Sequence, residues 1–208
     1  IFTTENWTTL LSEGFEGTWP PATSPEWKGP SAATTADWSV LDYNGPTGGL
    51  YLPASRDCNP HSGSKSLWMV GGGYDGSGLG CGASYPSNAD AWAIYGPFST
   101  LGVTNLKLTY SYYVNAYNSF DPVTYDSFCI GLGTDPHSPS DYDCYSSTSF
   151  PWWDTYTKEL DSFNTGVVNQ ASVYLSLNFY SDASGVAAVG ALVDDISITG
   201  TAAGQGGT

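Results

Sequence analysis

Residues Leu106 to Asn115 (LKLTYSYYVN) alternate without a break. Leu106, Leu108, Tyr110, Tyr112 and Val114 fall on one side of an extended chain. Lys107, Thr109, Ser111, Tyr113 and Asn115 fall on the other. Successive side chains of a strand point to opposite faces, so this pattern specifies a strand with one buried face. Such a face needs a second layer to cover it. The pattern recurs in Tyr125–Leu132, with Phe128, Ile130 and Leu132 together, and in Ala171–Tyr180, with Val173, Leu175, Leu177 and Phe179 together. Shorter strand candidates are Ile1–Leu11, Asp37–Leu41, Lys65–Val70, Trp92–Phe98 and Asp154–Leu160, separated by turns rich in Gly, Pro, Asn and Ser. Helical periodicity and internal repeats are missing. These features predict an all-β, two-sheet antiparallel sandwich of the jelly-roll kind. The sandwich domain is expected over residues 12–200. Residues 1–11 form a β segment with no turn partner of its own, which suits a donor strand to a neighbouring subunit. Residues 201–208 (TAAGQGGT) read as a glycine-rich tail.

Chemistry narrows the partners. The net charge is −15, and the cations are Lys28, Arg56, Lys65, Lys107 and Lys158. Nucleic acid is excluded, because phosphate binding needs clustered Lys and Arg. No apolar run is long enough to insert in a membrane. Charged residues make up only 12% of the chain, so Ser, Thr, Asn, Tyr and Gly must build much of the surface. That composition fits an extracellular or cell-surface protein. Asn6-Trp7-Thr8 is a glycosylation sequon at Asn6, and the polar start at Ile1 is expected of a processed chain. The four cysteines, Cys58, Cys81, Cys129 and Cys144, show no zinc-type spacing. Sequence order favours disulfides Cys58–Cys81 and Cys129–Cys144, with buried free thiols as the alternative.

Carboxylates are the next signal. In AVGALVDDISITG (188–200), strict alternation places Leu192, Asp194, Ile196 and Ile198 on one face and Asp195 on the other. Asp194 would then point with the core. A carboxylate there needs water, a donor or a cation. A pair of acids astride a core strand is one way to hold a hard cation at a sheet edge.

A set of ordered landmarks extends the pattern: GFEG (14–17), DWSVLD (37–42), SGSKSLW (62–68), SNADAW (87–92), GPFSTL (96–101), LKLTYSYYV (106–114), YDSF (125–128) and LVDDISI (192–198). Together they resemble the jelly-roll family that includes MAM domains and the accessory β-sandwiches of secreted immune-inhibitor-type proteases. The resemblance implies a binding or scaffolding role without catalysis. It also implies a structural calcium ion held by Glu16, Asp90 and Asp194, with Ser64 and backbone carbonyls completing the shell.

Three roles are open to such a chain. Catalysis has little support, since there is no GxSxG and nothing ties His61 or His137 to a serine and an acid. Assembly through strand addition by the N-terminal segment would give a filament or surface subunit. Binding of neutral carbohydrate would use exposed rings, with Trp152 and Trp153 as the stacking candidates. The expectation is a non-catalytic extracellular sandwich that works by assembly or adhesion, with a carbohydrate-binding accessory module as the alternative.

Overall fold

The computed structural model describes residues 6–17, 19, 37–43, 51–72, 78–116, 126–146, 152–161, 166–183 and 187–202. Eleven strands lie among them. They are β1 (Trp7–Glu13), β2 (Asp37–Asp42), β3 (Ala54–Arg56), β4 (Ser66–Trp68), β5 (Asp90–Phe98), β6 (Val103–Asn115), β7 (Ser127–Gly133), β8 (Asp141–Tyr145), β9 (Asp154–Asp161), β10 (Val173–Tyr180) and β11 (Gly190–Ala202). The first sheet has the order β3-β4-β11-β6-β9, with β1 also paired to β11. The second has the order β2-β5-β10-β7-β8. Every pairing between these strands is antiparallel. Among the described residues no helix is long and apolar enough to cross a membrane.

The alternation read from the sequence builds the core directly. Leu106, Leu108 and Tyr110 of the first sheet are buried against Phe128, Ile130, Leu132, Val173, Leu175, Leu177 and Phe179 of the second. Each large apolar side chain removed from water stabilises the fold by about 1.5–3 kcal/mol, so the facing layers are the main source of cohesion. Phe15, Trp19 and Trp38 pack ring against ring. Trp19 thus covers part of the core.

Both disulfides pair in sequence order, Cys58–Cys81 and Cys129–Cys144. The second joins facing residues of β7 and β8. β8 (DYDCY) is rich in Asp, a poor strand former. Pairing with β7 and the disulfide override that local preference.

The N-terminal segment requires a correction. Trp7–Glu13 pairs with β11 of its own sheet, Trp7 opposite Thr201 and Ser12 opposite Ser197. A donor role for these residues would first require that ladder to open; residues 1–5 lie outside the described set. The boundary of the tail also moves. Thr201 and Ala202 belong to β11, and the rest of 201–208 lies outside the described residues. The two sheets are open, which is compatible with strand addition at an edge. At the edge strand β9, however, Lys158 faces Asp141 and Asp143 of β8 at 2.6 and 3.0 Å. An inward-pointing charge on an edge strand discourages edge-to-edge pairing.

Candidate functional site

The acidic closing strand folds differently from strict alternation. β11 pairs with β6 as Val193–Tyr112 and Asp194–Ser111, then resumes at Ser197–Thr109, one residue out of step. The extra residue is a β-bulge, and Asp195 adopts the left-handed conformation there with φ of 49°. Parity therefore switches. Ala191 and Val193 face the core before the bulge, and Ile196 and Ile198 face it afterwards. Asp194 shares the opposite face with Leu192, Tyr113 and Ser111, since directly paired residues lie on one side of a sheet. It is nonetheless completely buried, because a loop covers it.

That loop, residues 57–65, joins β3 to β4 and folds over the outer face of the first sheet. Both acids of the bulge hold it. Asp194 Oδ2 accepts from the backbone N–H groups of His61 and Ser62, at 3.0 and 3.1 Å. Asp195 takes the side chains of the same two residues: His61 Nδ1 lies 2.7 Å from Oδ2, and the Ser62 hydroxyl donates to Oδ1 at 2.6 Å. The two acids act together and do not straddle the strand. Burial pushes the Asp194 carboxyl above the ordinary carboxylate range, and the N–H donors offset part of that rise. Glu16 grips the far end of the loop. It accepts from the Ser64 hydroxyl at 2.6 Å and from the N–H groups of Ser64 and Lys65 at 2.8 and 3.0 Å. These donors, the Ser64 hydroxyl first, hold the Glu16 carboxyl below its usual range. Gly63 is required between them: its φ is 60°, and a Cβ there would meet Glu16 Oε1 at 2.2 Å.

The four expected calcium ligands do not assemble into one shell. Glu16, Ser64 and Asp194 belong to this loop and its anchors. Asp90 begins β5 in the other sheet, where its Oδ1 accepts from the indole N–H of Trp92 at 2.7 Å and from the Asn178 amide at 2.9 Å. At Glu16 and Asp194 the carboxylate oxygens accept N–H and O–H donors from the loop. Among the described residues, the group with metal-ligand proximity is Asp57, Cys58 and Cys81, and its two cysteines form a disulfide.

Aromatic residues complete the site. Trp153 donates its indole N–H to the Asn59 carbonyl at 3.1 Å, and its ring centroid lies 5.4 Å from His61 and 5.9 Å from Tyr113. Beside it opens a pocket of about 310 Å³, lined by the Cys58–Cys81 disulfide, Asn59, Trp68, Tyr113 and Leu192 among others. Trp152 is 68% exposed while Trp153 is partly covered, the split expected of neighbours on extended backbone. Asn6 is exposed just before β1.

Ser62 and His61 both engage Asp195, so the serine hydroxyl donates to the carboxylate and not to the imidazole; a nucleophile–base pair needs the reverse. Sequence reasoning singled out the acids and the tryptophans but missed Asn59, Ser62 and Tyr113. The available signal was a cysteine beside HSGS, which marks a loop tied down at a fixed place.

The fold defined here is a jelly-roll-like β-sandwich resembling bacterial adhesin domains. It is similar to the K1 cleaved adhesin domain of Lys-gingipain (Kgp) from Porphyromonas gingivalis W83, with TM-score 0.52 and 15% identity over 95% of this chain and 99% of that one. It is also similar to the K3 cleaved adhesin domain of the same protein, with TM-score 0.51 and 13% identity over 92% and 98%. At these identities the likeness is one of fold. No family model matches the chain, and no curated protein matches it.

Proposed function

We propose that this chain is a non-catalytic extracellular module that adheres to neutral carbohydrate through the outer face of its first sheet. The observation that carries this reading is Trp153 packed against Tyr113, next to an aromatic-walled pocket of about 310 Å³. Flat rings give sugar rings an apolar stacking surface, and the Asn59 amide and Tyr113 hydroxyl offer polar contacts nearby. A net charge of −15 disfavours acidic glycans. Two disulfides fit an oxidising, extracellular compartment. The adhesin domains of similar fold are in keeping with such a role. Self-assembly has less support, because Trp7–Glu13 is already paired with β11.

The test is binding to an array of neutral glycans by wild type and by Trp153→Ala. The expected outcome is a tenfold or greater loss of affinity, roughly what a central aromatic anchor contributes. Equal binding by the variant, or no binding by wild type, contradicts the proposal. A stabilising calcium ion at the 57–65 loop is a separate proposal, resting on the two carboxylates, Glu16 and Asp194, that embrace it. A chelator would then lower the melting temperature by removing a ligand of the folded state; an unchanged melting curve removes this proposal.

A further inference from the structure

The outer face of the first sheet does not end at the loop. Cross-strand pairing sets its side chains in rows across β1, β11, β6 and β9, about 4.8 Å apart from strand to strand. One row runs Ser12, Ser197, Thr109, Thr157, and the next places the exposed Thr155 beside Ser111, which is itself buried. Hydroxyls link neighbouring strands, Thr109 to Thr157 at 3.0 Å and Ser111 to Thr155 at 2.8 Å. At the far end Trp7 is 37% exposed, with the Lys107 ammonium 4.5 Å from its ring centroid. Lys107 in turn pairs with Glu159 at 3.0 Å. The strip between the two ends therefore carries hydroxyls and the Lys107–Glu159 pair, with Asp161 in the row of Trp7 and Asp195 beside the loop. From Lys107 to Tyr113 the strand advances six residues, about 20 Å.

We propose that this strip is a single platform for an extended, uncharged polysaccharide chain lying along the strands. Trp7 would hold one end, Trp153 the other, and the hydroxyls of Ser12, Thr155 and Thr157 the middle. The proposal rests on the carbohydrate reading above and adds the polymer's length and direction to it. An isolated end pocket would need neither Trp7 nor the rows. An uncharged polymer is not repelled by the acids that border the strip, and its repeating hydroxyls can both donate to and accept from Ser and Thr.

The experiment measures binding of cellulose-, xylan-, mannan-, galactan- and glucan-type polymers, and of their one- and two-sugar fragments, by affinity electrophoresis and calorimetry. The proteins are wild type, Trp7→Ala, Thr157→Val and Trp153→Ala, each checked for an unchanged melting temperature. Thr157→Val keeps a β-branched residue on an exposed strand, so it preserves the fold if Trp7→Ala does not. The expected result is that Trp7→Ala and Thr157→Val weaken polymer binding by about tenfold and leave fragment binding unchanged, while Trp153→Ala weakens both. Wild-type polymer affinity in Trp7→Ala and Thr157→Val, with loss only in Trp153→Ala, overturns the platform and leaves the pocket. Sedimentation showing a dimer that Thr157→Val disperses would assign the face to a second copy of the chain, and that also overturns it. Failure of wild type to bind any polymer or fragment overturns both proposals.

Discussion

Asp195 shows how one backbone angle reorganises a site. A non-glycine residue with φ of 49° is uncommon, though Asp tolerates the left-handed region better than most residues. The turn it makes moves Asp194 from the expected core face to the outer face, where loop 57–65 buries it. A second buried carboxylate, Asp126, accepts from the Tyr85 hydroxyl and from the Asp182 N–H. Burial raises Asp126 above the ordinary carboxylate value of 3.8, as it does Asp194. The sign follows from linkage. A group whose pKa is higher folded than unfolded binds protons more tightly when folded. Its contribution is fully present below the unfolded value and is lost as pH rises through the folded one. Glu16, held low, works the other way: its contribution is present above the unfolded carboxylate range and is lost as pH falls through the folded value. The melting temperature should therefore rise as pH is lowered from neutrality toward the carboxylate range, then fall as Glu16 protonates. Asp126→Asn should flatten the rising limb, and thermal melts across pH check this. A limb of unchanged slope in that variant would contradict the assignment.

At the scale of elements, the long alternating strands were legible before any coordinates, and so were both disulfide pairings. Apolar spacing in β6, β7 and β10 encodes burial directly, and loop-closing cysteines reveal their partners by order. Two things were hidden. β8 lacks an apolar repeat and exists because β7 and Cys129 hold it. The bulge in β11 inserts one residue into an otherwise regular register, and strict parity cannot see it. That insertion also redirects Asp195: alternation sends it away from Asp194, whereas both acids grip His61 and Ser62. The disulfides separate fold from site. Each closes a loop, of 23 and 15 residues in sequence separation, and should contribute roughly 3 kcal/mol in the chain-entropy model. Replacing Cys58 and Cys81 by Ala should cost that stability and also weaken glycan binding, because this bridge lines the pocket. Replacing Cys129 and Cys144 should cost similar stability and leave binding intact. Denaturant melts with parallel binding curves measure both. Equal effects on binding would show that the pocket wall does not matter.

For the whole molecule, the two faces of the sandwich divide the work. The inner faces supply cohesion, and the second sheet presents the Trp92, Ile94, Tyr174 and Leu41 cluster on its outside. The first sheet combines an exposed Trp7 at one end, Trp153 and a pocket at the other, and hydroxyls between them on one surface. Its edge is guarded by Lys158, where burial works against the charge but the hydrogen bonds it donates to Asp141 and Asp143 outweigh it and hold the ammonium above its ordinary range. This division fits a module that presents one face to a ligand as a monomer. The most direct measurement is mapping of backbone amide chemical shifts during titration with a neutral oligosaccharide that binds. Shifts confined to the Asn59–Ser62 loop, Tyr113 and the Thr155–Thr157 strand are the predicted result. Shifts centred on Trp92 and Tyr174 of the second sheet would contradict the account.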